Sequence, residues 1–189
     1  MLGVVLCGGQ STRMGSDKGL LTSNQYTWAQ EAAAKLTALS MPVLVSVNSR
    51  QLESYATLFE SSFLIPDDTT LRLGGPLSGI LSVHRKFPKE DLMVLACDML
   101  LMESFILREL YDARQEHPGF EAYIFTNGGN IEPLAGIYTA GALGNILKKY
   151  ALGEMTKFSM KYVIEHLRAY TRELPASYLK YFQNFNDPL

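Results

Sequence analysis

Leu2-Gly3-Val4-Val5-Leu6-Cys7-Gly8-Gly9-Gln10-Ser11-Thr12-Arg13-Met14-Gly15-Ser16-Asp17-Lys18-Gly19 opens the chain with a short apolar run, two adjacent glycines and a polar loop. The run from Leu2 to Cys7 has the length and residue types of a strand buried on both faces. Gly8-Gly9 stops it. The loop that follows has the make-up of a phosphate cradle. Glycines let the backbone approach an anion and aim N–H groups at it. Ser11 and Thr12 add hydroxyl donors, and Arg13 and Lys18 add positive charge. The spacing fits neither G-x-x-x-x-G-K-[ST] nor G-x-G-x-x-G. After Gly9 the next glycine is Gly15, and Lys18 is followed by Gly19. An ordinary P-loop ATPase and a dinucleotide-dependent dehydrogenase are both excluded.

Outward from this stretch the pattern alternates. Trp28 to Leu39 reads as a helix, Val43 to Val47 as a buried strand and Gln51 to Phe59 as a helix. Phe63 to Ile65 is a short strand halted by Pro66. Leu77 to Val83 suits a helix entered through Pro76. Leu92 to Cys97 is a further strand, and Ile106, Leu107, Leu110 and Tyr111 mark a helix. Phe120 to Phe125 and Leu134 to Tyr138 read as strands around the turn Asn127-Gly128-Gly129-Asn130. Two sets at i, i+3, i+4 and i+7 close the series as helices, Leu143-Ile146-Leu147-Tyr150 and Met160-Val163-Ile164-Leu167. Alternation of this kind predicts an α/β fold, a mostly parallel twisted sheet with helices on both faces. Ligands of such sheets bind at the carboxyl ends of the strands. Gly8 to Lys18, Asn48, Asp67 and Asp98 all follow strands, so this topology gathers them along one edge.

The chain has 189 residues, 47% of them hydrophobic and 19% charged, with a formal net charge of −2. One domain spanning 1–189 is the expectation, and disorder is excluded by composition. Without a basic excess, a nucleic-acid-coating role is not expected. No apolar run approaches the roughly 20 residues of a membrane span. With only Cys7 and Cys97 there is no disulfide framework. A soluble, cytoplasmic protein with no membrane or nucleic-acid partner is expected.

Asp98 after the strand Met93 to Cys97 is placed to hold Mg²⁺, a hard ion that takes one or two carboxylates plus phosphate oxygens. The competing reading is a helix cap. Asp67 and Asp68 can grip a base or ribose, or make an Asx turn. Asn48 offers a neutral donor and acceptor to a base or sugar. Cys7 and Cys97 read as small buried hydrophobes rather than a reactive pair. His84, His117 and His166 are scattered, two of them on charged faces of predicted helices, and no zinc spacing or Gly-x-Ser-x-Gly elbow is present.

Leu6-Cys7-Gly8-Gly9, Arg13-Met14-Gly15 and Asp17-Lys18 resemble the signature of the molybdenum cofactor guanylyltransferases, nucleotidyltransferases with a Rossmann-like α/β fold. The likeness continues in order through Asn48, Asp67, Gly75-Pro76-Leu77-x-Gly79, Cys97-Asp98, Glu132-Pro133-Leu134 with Tyr138, and Phe182-x-Asn184-x-Asn186-x-Pro188. It implies transfer of GMP from GTP to the terminal phosphate of molybdopterin, with release of pyrophosphate. Leu6, Cys7, Gly8 and Gly9 would line the guanine and phosphate site, and Lys18 would neutralise phosphate charge. Asn48 and Asp67 would contact the nucleoside, Asp98 would hold Mg²⁺, and Asn184 and Asn186 would face the pterin. Arg13 is added from its own chemistry, because a guanidinium fork suits bidentate phosphate binding. Transient contact with other cofactor-biosynthesis proteins or acceptor apoenzymes is also implied.

The sequence departs from the family's Pro-Cys-Asp-x-Pro. Ala96 precedes Cys97, and Leu100 stands where the second proline would be, while Cys7 replaces the usual Ala. Two other readings remain at this stage. One is a nucleotidyltransferase of the same fold using CTP or a sugar-phosphate acceptor. The other is a binding module that keeps the pocket without the reaction.

Overall fold

A computed structural model describes residues 1–8, 17–23 and 25–185; Gly9, Arg13 and Asn186 lie outside them. Its strands are β1 (Leu2–Leu6), β2 (Thr22–Ser23), β3 (Tyr26–Thr27), β4 (Val43–Val47), β5 (Leu64–Pro66), β6 (Leu92–Ala96), β7 (Ala122–Asn127), β8 (Asn130–Tyr138) and β9 (Ala169–Glu173). The helices are α1 (Trp28–Thr37), α2 (Leu52–Tyr55), α3 (Pro76–Lys86), α4 (Ser104–Glu116), α5 (Ala140–Ala151) and α6 (Met160–Glu165). Short 3-10 turns cover Lys18–Leu20, Ser61–Phe63 and Ala176–Phe182.

Seven strands form one sheet in the order β5-β4-β1-β6-β8-β7-β9, and β2 and β3 make a separate small ladder. In the large sheet only β8 runs against its neighbours. The expected parallel α/β sheet is therefore the observed one. Val4, Val5, Val94 and Leu95 in β1 and β6 are fully buried, as double-sided coverage requires. One core packs Ala29, Ala32 and Leu36 of α1 and Ile106, Leu107 and Leu110 of α4 against the sheet. The other packs Leu77, Ile80 and Leu81 of α3, Leu143 and Ile146 of α5, and Met160, Val163 and Ile164 of α6.

Local chemistry explains the element ends. Thr27 caps α1 in a reciprocal capping box with Gln30, and Pro76 occupies the first turn of α3. Gly128 and Gly129, with φ of 55° and 80°, turn β7 into β8. The ladder then slips between Ile124 and Phe125. Ile124 faces Gly136 but Phe125 faces Glu132, so Pro133 to Ala135 bulge out of register.

Some expected boundaries differ. The helix expected over Gln51 to Phe59 is regular only from Leu52 to Tyr55. Thr57 Oγ1 donates to the Ser54 carbonyl, a local alternative to continuing the helix. Strand β9 was not expected, because Ala-Tyr-Thr-Arg-Glu lacks the alternation of a half-buried strand. It pairs with β7 at the sheet margin, with Thr171 to Glu173 exposed. His84 sits not on a charged face but 3% exposed, close to Gly144 of α5.

Candidate active site

The carboxyl ends of β1, β4 and β6 lie side by side, because Leu6 pairs with Ser46 on one flank and Ala96 on the other. The residues just beyond them therefore converge. Lys18, in the first turn after the opening loop, donates to Asp98 Oδ2 at 3.0 Å across 80 residues of sequence. Both side chains are about one-fifth exposed. A cation and an acid predicted to share one sheet edge thus meet there.

The backbone of β1 carries these groups but keeps few polar atoms for a ligand. The Leu6 carbonyl accepts from the Cys97 amide, and Cys7 N and Gly8 N both donate to the Ser46 carbonyl. The Leu6 and Cys7 side chains point into opposite cores and are buried. What this segment presents is the bare Cα of Gly8. A Cβ there would stand 3.6 Å from Asp67 Oδ2 and 3.7 Å from the Asn48 amide, so Gly8, Asn48 and Asp67 form one patch.

Within that patch Asp67 is the unsatisfied member. Its Oδ1 is buried with no hydrogen-bond partner among the described residues, and burial pushes its carboxyl up from the ordinary range. Asp68, its neighbour, turns away. It takes Arg85 at 2.6 Å and both donors of Thr70, which settles it as the Asx-type turn residue. Asn48 spends its Oδ1 on the amides of Arg50 and Gln51, leaving its side-chain N–H groups for a ligand.

Two residues that sequence reading did not single out, Gln51 and Tyr55, brace the site through Asp17 of the Asp17-Lys18 pair. Gln51 accepts from the Asn48 amide at 2.8 Å and donates to the Cys7 carbonyl at 3.0 Å and to Asp17 Oδ2 at 2.5 Å. Tyr55 donates to Asp17 Oδ1, which also accepts from Gly19 N, both at 3.0 Å. One α2 edge thereby ties β1, β4 and the turn bearing Lys18 together. Gly19 is required by this contact, since a Cβ there would collide with the Tyr55 hydroxyl.

The chain's last described residues also reach this edge. Phe182 is buried against Phe125, with ring centroids 5.2 Å apart, and Phe185 N donates to the Asp98 carbonyl at 3.0 Å. Asn184 is therefore next to the Asp98 turn. Because β8 starts at the same edge, Glu132 is there too, its half-buried carboxyl pushed up by burial.

Cys7 and Cys97 extend the paired strand ends into the same core, and burial pushes the Cys7 thiol up, with the neighbouring Cys97 adding to the effect. Protonated thiols in apolar surroundings are poor nucleophiles and poor metal ligands. Among the described residues no group of three or more His, Cys, Asp or Glu side chains converges as a metal site. The donor set at Asp98 is instead one hard carboxylate, which fits an ion that takes its other ligands from water and phosphate. A cleft of about 560 Å³ between α5 and α6, lined by Lys148, Tyr162 and His166 among others, lies at the other end of the sheet and contains none of these residues. Among the described residues no helix is long and apolar enough to cross a membrane.

Residues 3–169 match the family described as the MobA-like NTP transferase domain. A probable molybdenum cofactor guanylyltransferase of Geobacillus sp. (strain WCH70) is 33% identical over 138 residues, 73% of this chain and 69% of that protein. One of Methanothermobacter thermautotrophicus is 28% identical over 186 residues, 97% and 93% of the two chains. In fold, the chain is similar to the crystal structure of molybdopterin-guanine dinucleotide biosynthesis protein A from Archaeoglobus fulgidus. The TM-score is 0.79, at 22% identity, over 100% of this chain and 93% of that one.

Proposed function

The chain belongs to the MobA-like NTP transferase domain family and is a nucleotidyltransferase; from that premise we propose that it transfers GMP from GTP to the terminal phosphate of molybdopterin. The observation that carries this reading is the contact of Lys18 with Asp98. Relatives covering most of the chain bear the guanylyltransferase name, which supports GTP over the CTP or sugar-phosphate alternative.

The reaction joins a phosphate oxygen of the acceptor to the α-phosphorus of GTP and breaks the bond to the β-phosphate, releasing pyrophosphate. The acceptor phosphate is ionised at neutral pH, so no side-chain nucleophile is needed. What the chain must do is bring anions together and align them. Asp98 is the residue that would hold Mg²⁺, which supplies charge neutralisation on the phosphate oxygens. In the substrate-free chain Lys18 and Asp98 compensate one another. With Mg²⁺ held by Asp98, Lys18 would be released to neutralise a phosphate oxygen of the nucleotide. Arg13 clamps a phosphate from the loop, and Gly8 with Gly9 lets the nucleotide lie close to the backbone. Asp67 offers its unsatisfied oxygen, and Asn48 its amide, to the nucleoside. Asn184 and Asn186 contact the pterin side.

The test is pyrophosphate release measured with GTP, CTP and ATP in turn, with molybdopterin and Mg²⁺ present. The expected result is release with GTP only, and only when the acceptor is added. Equal turnover with CTP, or release driven by a sugar 1-phosphate in place of molybdopterin, would overturn the assignment.

A further inference from the structure

We propose that Lys35 is a positioning residue for Asp98, its ammonium stapling the turn that carries the acid. The role rests on the reading of Asp98 given above. The segment Ala96-Cys97-Asp98-Met99-Leu100-Leu101-Met102-Glu103 leaves β6 and enters α4 with no proline to restrict it. Its shape must come from partners. The Ala96 carbonyl accepts from Met99 N, and the Met99 carbonyl from Met102 N. Lys35 Nζ then donates to the Leu100 carbonyl at 2.6 Å and to the Met99 carbonyl at 3.4 Å. In return Ser104 Oγ donates to the Lys35 carbonyl at 3.0 Å. The last turn of α1 and the exit from the Asp98 turn are therefore stitched in both directions.

An ordinary helix lysine would run its stem along the surface and leave its head in water. Lys35 instead turns inward, where burial pulls its ammonium down from the usual value against the raising effect of Glu31 and Glu103. It meets two carbonyls rather than a carboxylate. Met99 and Leu100 are 2% and 8% exposed, so their carbonyls have little water to fall back on. Asp98 is the residue immediately before the stapled pair, and its carboxylate can wander only as far as that turn allows. A metal ligand needs its supporting groups fixed as well as itself.

The experiment compares wild type with Lys35→Met and Lys35→Arg. Amide hydrogen exchange in the substrate-free protein is read at Met99 and Met102, with Val4 and Val94 as reference. Lys35→Met is expected to speed exchange at the turn about tenfold and leave the sheet amides unchanged, since local opening is uncoupled from global unfolding. It should also raise the Mg²⁺ concentration for half-maximal pyrophosphate release about tenfold, the usual scale for a lost supporting group, while KM for GTP holds. Lys35→Arg, which keeps the donors, should restore both. Unchanged exchange at the turn, acceleration spread evenly over the sheet, or a faster turn with unaltered Mg²⁺ response would each overturn the role. Should Lys35→Met not fold, Lys35→Gln, with one donor group, takes its place. The exchange arm needs no catalysis, so failure of guanylyl transfer in the wild type is told apart from failure of this role.

Discussion

Lys18 and Asp98 were legible together, because each lies beyond a buried strand and the alternating pattern implies a topology that gathers strand ends along one edge. Their contact shows that the topology delivers both to one place. Removing the cation by Lys18→Ala should lower kcat/KM for GTP by about 10²–10³-fold, the scale of one lost electrostatic donor at a transition state; steady-state pyrophosphate release measures it. Asp67 makes a prediction of opposite sign for stability. Its carboxyl is pushed up by burial, so the folded chain holds that proton more tightly than the unfolded one. Its contribution is therefore fully present below the ordinary carboxylate range and lost as pH rises through the raised value. Asp67→Asn should raise the thermal midpoint at pH 7, give no gain near about pH 2, well below the ordinary Asp value of about 3.9, where both states are protonated, and weaken GTP binding. The bracing roles of Gln51 and Tyr55 were not legible, because their ties to Asp17 join residues 34 and 38 apart in sequence. No local pattern encodes such a network.

Elements declared themselves in proportion to how much of them is buried. β1, β4 and β6, covered on both faces, read as short apolar runs, broken in β4 only by Ser46. β9, paired through one edge and largely exposed, carries no such mark. Helix α3 was legible from Pro76, but its distance from the sheet was not. It is set by Gly79, where a Cβ would collide with Ser46 Oγ and stand 3.3 Å from Leu6 Cδ2. Ser46 Oγ is itself buried with no partner among the described residues. Gly79→Ala should accordingly cost about 1–3 kcal/mol by overpacking. Adding Ser46→Ala removes both the clash and the unsatisfied hydroxyl, and should recover most of that loss; denaturant unfolding of the two variants decides it. A double variant less stable than Gly79→Ala alone would show that Ser46 Oγ is not the obstacle.

The described residues build a seven-stranded sheet between two cores, with the last of them folded back onto the edge where β1 and β6 end. Phe182 anchors that return against Phe125, and Tyr178 donates to Glu109, which also takes Arg172. Phe182→Ala should cost about 3 kcal/mol as a buried aromatic lost, and should loosen the contact of Phe185 N with the Asp98 carbonyl. Thermal unfolding reads the first effect and amide exchange at Phe185 the second. The most direct test of the account is a crystal structure of the chain with GTP and Mg²⁺. It should show the triphosphate at the carboxyl ends of β1 and β6, Lys18 on a phosphate oxygen, and Asp98 on the metal in place of Lys18. A triphosphate bound elsewhere, or one bound here while Lys18 and Asp98 still hold each other, would contradict it.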